Sequence, residues 1–108
     1  MKEIIIAFDI DGTLISNTNG LGVERLNAEI YNLMTLLSKM KNTKIIVWSG
    51  GGKEYAEQIV TKYGLAKYVS SCHGKMEYDE SIDGSVDICF DDQHETLLAE
   101  KNIIVRTK

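Results

Sequence analysis

The segment Ile4-Ile5-Ile6-Ala7-Phe8-Asp9-Ile10-Asp11-Gly12-Thr13-Leu14 runs an apolar, β-branched strand straight into two carboxylates one residue apart. A strand this uniformly apolar belongs inside a parallel sheet covered on both faces, and acids at its carboxyl end stand where open α/β sheets place their ligands. The two-residue period of a strand predicts that Asp9 and Asp11 share a face. Acids so placed repel one another unless a shared proton or a cation relieves them, and a divalent metal is the simpler remedy. Gly12 supplies a sharp turn or a close backbone approach, and Thr13 a hydroxyl donor. Read without function, Asp-Gly is ordinary turn chemistry, and the same letters describe a hairpin.

Two more apolar runs end in polar side chains. Thr43-Lys44-Ile45-Ile46-Val47-Trp48-Ser49-Gly50 reads as a strand closed by a hydroxyl, and the glycines at 50–52 lead into a helix over 53–63 whose first amides can bind an anion. Val86-Asp87-Ile88-Cys89-Phe90-Asp91-Asp92 is a strand ending in two aspartates, which could equally cap a helix. Ahead of both the pattern predicts a long helix over 24–40, with Leu26, Ile30, Leu33, Met34, Leu37 and Met40 facing the sheet and Asn42 as its stop. A short strand around 67–72, a turn at 81–85, a short helix over 96–99 and an edge strand over 103–105 complete the series. Such alternation predicts one α/β domain over 1–108, Rossmann-like and doubly wound, with a mostly parallel sheet and helices on both faces.

The composition agrees with one globular domain: 108 residues, 44% hydrophobic and 26% charged. No apolar run reaches membrane-spanning length and the strand begins without a signal sequence, so a cytoplasmic location with Cys72 and Cys89 reduced is expected. A net charge of −4, with no basic stripe among aromatics, argues against nonspecific nucleic-acid binding. Cys72, His73, Cys89 and His94 match no paired-cysteine zinc spacing. From Met76 to Glu100 there are many acids and no Lys or Arg, which leaves Lys75 as the last cation before an acidic run.

Asp9-Ile10-Asp11-Gly12-Thr13-Leu14 resembles the first motif of the haloacid dehalogenase superfamily of phosphotransferases. The Thr43 to Gly50 run is similar to that family's second motif, and Val86 to Asp92 to its fourth. The resemblance implies a Mg²⁺-dependent phosphatase in which Asp9 attacks phosphorus to form an aspartyl-phosphate and Asp11 is the general acid/base. Ser49, with Gly50 and the backbone near Ile10, would hold the phosphoryl oxygens. A lysine would neutralise the nucleophile and the phosphate, either Lys75 or, as a substitute, Lys53 at the glycine-rich helix start. Mg²⁺ would take Asp9, the backbone carbonyl of Asp11, and the Asp91-Asp92 pair, with Asp92 aligned as the primary ligand and the order within the pair left open.

The places where this family inserts cap domains, 14–24 and 64–75, hold too few residues for one, beyond a turn or hairpin around 17–22. A missing cap implies an open site, and with it a large phosphorylated substrate or a partner subunit as lid, a homo-oligomer included. Two rival readings stay open: a polynucleotide or nucleotide end-processing phosphatase of the same superfamily, whose first motif, Val-Trp-Ser-Gly strand and paired aspartates are similar, and a non-catalytic phosphate-binding or scaffold module. Arg25 and Arg106, the chain's two arginines, form no evident pair of the kind that would favour the first.

Overall fold

The computed structural model describes residues 2–16, 22–93 and 99–105. The first strand, β1, spans Ile4–Asp9 and is flanked in parallel by β2, Thr43–Ser49, and β4, Ile88–Asp91. Strand β3, Ser71–Gly74, pairs outside β2, and β5, Lys101–Ile104, outside β4, so the order is β3-β2-β1-β4-β5 with every pairing parallel. The chain winds outward from β1 to β3, then returns across the sheet to β4. The switch point therefore lies between the carboxyl ends of β1 and β4, where such sheets open a crevice.

Helix α1, Ala28–Leu37, and helix α2, Lys53–Lys62, pack Ile30, Met34, Ala56, Ile59 and Val60 against Ile6, Phe8, Ile45, Val47 and Phe90 on one face. The other face carries Ile5, Ala7, Ile46, Trp48 and Cys89. It is covered by Tyr78, Val86 and Ala99, the first two flanking a four-residue helix α3, Glu80–Asp83. The doubly wound architecture expected from the alternation is present. Neither the 10–27 nor the 63–70 connection is long enough to hold an inserted domain. Among the described residues no helix is long and apolar enough to cross a membrane.

Several boundaries differ from the sequence reading. The long helix begins at Ala28 rather than Glu24, because Leu26 forms an antiparallel bridge with Ile15 and Asn27 caps the helix, accepting from the Glu29 and Ile30 N–H groups at 3.1 and 3.3 Å. It ends at Leu37, leaving Met40 half exposed, and Asn42 adopts a left-handed φ of 57° at the entry to β2 instead of closing the helix. The third strand lies at 71–74, not 67–72: Tyr68 and Val69 pack on the core from a turn in which the Tyr68 N–H donates to the Leu65 carbonyl. That shift pairs Gly74 with Ser49 and brings Lys75 off the end of β3 level with the ends of its neighbours. The expected turn at 81–85 contains the one-turn helix α3, capped by Asp79 and stopped by Gly84 at φ 97°. The edge strand starts two residues earlier than expected. The predicted turn residues 17–21, the predicted helix residues 96–98, His94 and Arg106 lie outside the described residues.

Candidate functional site

Asp9 is the last residue of β1 and Asp91 the last of β4, so the switch point sets two carboxylates side by side, 5% and 2% exposed. Asp92 follows, and Asp9, Asp91 and Asp92 each present an oxygen within 4.8 Å of the others. Gly12 makes this approach possible: its φ is +84°, and a Cβ there would stand 2.1 Å from Asp92 Oδ2, a place no side chain can share. Asp91 Oδ1 accepts the Gln93 N–H at 2.8 Å, while the helix that Asp91-Asp92 could cap lies outside the described residues.

Lys75 enters from the neighbouring side. Its Nζ is 2.9 Å from Asp9 Oδ1 and 2.7 Å from Asp91 Oδ2, with the side chain 13% exposed. Lys53, by contrast, is the exposed first residue of α2, so the lysine of the cluster is Lys75. One ammonium stands among three carboxylates. Burial pushes the Asp9 carboxyl up to about 7 against the hydrogen bond and charge of Lys75, with the charge of Asp91 adding to the rise. Burial also raises Asp92, a rise that its hydrogen bond with Asp9 opposes and Asp91 reinforces. Burial works to lower Lys75, but its bonds to Asp91 and Asp9 outweigh this and its affinity for the proton rises. Three close carboxylate donors with surplus negative charge fit a hard divalent ion such as Mg²⁺, which takes oxygen ligands and keeps several waters.

Asp9 and Asp11 do not share a strand face. The chain leaves the pleat after Asp9: Ile10 is buried in the core and its carbonyl accepts the Thr13 and Ile15 N–H groups, both at 3.1 Å. Asp11 is thereby turned out to solvent, where its Oδ1 accepts the Tyr55 hydroxyl at 2.8 Å. Thr13 is fully buried and its Oγ1 donates to Asp9 Oδ2 across a long 3.4 Å.

Ser49, at the end of β2, is 2% exposed and its Oγ accepts the Gly51 N–H at 3.0 Å, leaving the O–H to point onward as a donor. Gly50 is exposed, and Gly52 begins α2 at φ 101° with no side-chain cap on the helix. Thus Asp9, Asp91, Asp92 and Lys75 form one cluster, while Ser49 and Asp11 are tied to the loop and first turn of α2 through Gly51 and Tyr55. Tyr55 is the site residue that sequence reasoning missed, although its place in the first turn after the glycine run was a usable signal. Cys72 packs on the α1/α2 face and Cys89 on the opposite one, so the two thiols cannot share an ion. Burial, with the charge of Asp91, pushes the Cys89 thiol up to about 12, which keeps it an inert hydrophobe.

The chain matches no family model, and no characterised protein or solved structure matches it significantly.

Proposed function

We propose that the protein is a Mg²⁺-dependent phosphomonoester hydrolase acting through an aspartyl-phosphate at Asp9. The observation that carries this reading is the bridge of Lys75 between Asp9 and Asp91 at the switch point, with Asp92 beside them. It gathers Asp9, Asp91, Asp92 and Lys75, four of the residues to which the resemblance to haloacid dehalogenase phosphotransferases gives a role. Asp9, Asp91, Asp92 and the Asp11 carbonyl would hold Mg²⁺, which supplies positive charge to the phosphoryl oxygens when bound.

Phosphoryl transfer asks a protein chiefly for position and for stabilisation of spreading negative charge. Lys75 neutralises the Asp9 carboxylate that attacks and the phosphoryl group that arrives on it. Ser49 donates its hydroxyl to a phosphoryl oxygen, and the uncapped start of α2 beside Gly50 favours negative charge. In the first step a bond forms between an Asp9 carboxylate oxygen and phosphorus, the phosphorus–oxygen bond to the leaving group breaks, and the carboxyl proton of Asp11 passes to the departing oxygen. In the second, the Asp11 carboxylate takes a proton from water as that water attacks phosphorus, the bond to Asp9 breaks, and orthophosphate leaves. Two steps of moderate difficulty replace one hard one. With no inserted domain over the crevice, the site is suited to a phosphate on a large substrate or to closure by a partner subunit. Two reduced thiols suit a cytoplasmic enzyme.

Acid trapping followed by intact-mass measurement tests the central step. Wild-type protein should gain a phosphoryl group from an aryl phosphate, and Asp9→Asn should gain none and lose turnover while keeping its fold. An Asp9→Asn protein, free of contaminating phosphatase, that turns over near the wild-type rate would refute the mechanism. A panel of phosphorylated sugars, nucleotides, peptides and oligonucleotide ends then identifies the substrate class.

A further inference from the structure

We propose that Tyr55 is the positioning residue for the acid/base Asp11, an inference that rests on the phosphatase reading. Asp11 lies beyond the end of β1 on an exposed turn, and a carboxylate there has no packing to fix its torsions. Among the described residues its one side-chain hydrogen bond is the 2.8 Å contact from the Tyr55 hydroxyl to Oδ1. The phenol itself is well held. Tyr55 packs on the core cluster from the first turn of α2, and its ring stands 3.1 Å from where a Cβ on Gly51 would be, so the glycine provides the slot in which the ring sits.

The direction of the bond sets its chemical effect. A protonated carboxyl carries hydrogen on one oxygen, and a donor aimed at Oδ1 leaves the acid hydrogen on Oδ2. Tyr55 thus selects the oxygen that gives up the proton and the plane in which it points. As the leaving oxygen takes that proton, Oδ2 becomes the second carboxylate oxygen and Oδ1 keeps its donor. The water proton taken in the second step restores the acid. The ring stands over the open side of Gly51, whose N–H donates to Ser49 Oγ, so Asp11 and Ser49 are each bonded to a residue at the start of α2.

A residue acting only through Asp11 matters in proportion to the need for a proton. Tyr55→Phe keeps the ring and its packing. Its kcat/KM should fall about tenfold on an alkyl phosphate, the order expected for losing one hydrogen bond to a charged group, and stay unchanged on a dinitrophenyl phosphate. In an Asp11→Asn background the same substitution should add nothing. Equal losses on both esters, no loss on the alkyl ester, or an undiminished loss in the Asp11→Asn background would overturn the positioning role while leaving the phosphatase intact. A wild-type protein with no Asp9-dependent turnover of either ester would overturn both.

Discussion

Lys75 is held by two carboxylates that are more buried than it is, and this makes it the residue whose removal exposes the electrostatics of the site most directly. Truncating one partner of a buried ion pair leaves the other charge without compensation, which commonly costs about 3–5 kcal/mol. In Lys75→Met, Asp9 and Asp91 would face each other with no ammonium between them. Asp9, whose carboxyl burial already pushes up to about 7, can escape by taking up a proton, so the loss should be smaller at pH 5 than at pH 8. Urea denaturation in the presence of a chelator measures it, and equal stability of variant and wild type at pH 8 would show that Lys75 is not the internal counter-ion. The residue scale also explains why Asp11 and Asp9 part company. Burying Ile10 turns the next side chain outward, so Asp11 stands in solvent while Asp9 stays buried at the end of β1.

At the scale of elements, β3 and the connection after it decide what reaches the crevice. Ending β3 at Gly74 releases Lys75, whose ammonium reaches past the end of β2 to Asp9. The preceding His73 ring is bonded to the Ser71 hydroxyl at 2.7 Å and stands edge-on to Tyr78, 5.0 Å between centroids, pinning the start of the covering segment. Burial, with Lys44 and Lys53 contributing, holds the His73 pKa below its ordinary value of 6.5 against the pull of Asp83. Between that lowered value and 6.5 the unfolded chain binds more protons than the folded one, so this group's contribution to stability is complete above about pH 6.5 and is lost as pH falls. Denaturation at pH 7.5 and 5 should show wild type losing more stability on acidification than His73→Gln. Identical losses in the two proteins would remove His73 as the cause.

Across the whole molecule, the acid cluster exists only when residues 9 and 91–92 are brought together by adjacent strands. A metal that needs all three carboxylates therefore binds the folded chain and not the unfolded one, and its binding energy becomes folding energy. Thermal unfolding should move upward with added Mg²⁺ and return on chelation. The gain should shrink more in Asp92→Asn than in Asp91→Asn, because Asp91 already spends its oxygens on Lys75 and the Gln93 N–H. No upward shift in wild type at millimolar Mg²⁺ would sink the metal assignment, and equal effects of the two substitutions would show the order given to the pair to be wrong.

Local regularities were legible in the chain itself. Uniform apolar runs announced β1, β2 and β4, the glycine run announced the start of α2, and their alternation announced a doubly wound sheet, because strand and helix periods are relations among near neighbours. The acids at the strand ends were legible for the same reason. Tertiary structure decided what such patterns cannot express. Leu26 keeps helical spacing yet pairs with Ile15, since an isolated bridge across the connecting segment outweighs propensity over two residues. Tyr68 and Val69 look like strand and serve as a packed turn. That Lys75 rather than Lys53 meets Asp9, and that Tyr55 meets Asp11, depends on contacts between segments dozens of residues apart. Burial and charge complementarity at close range select those contacts, and both are properties of the folded chain alone.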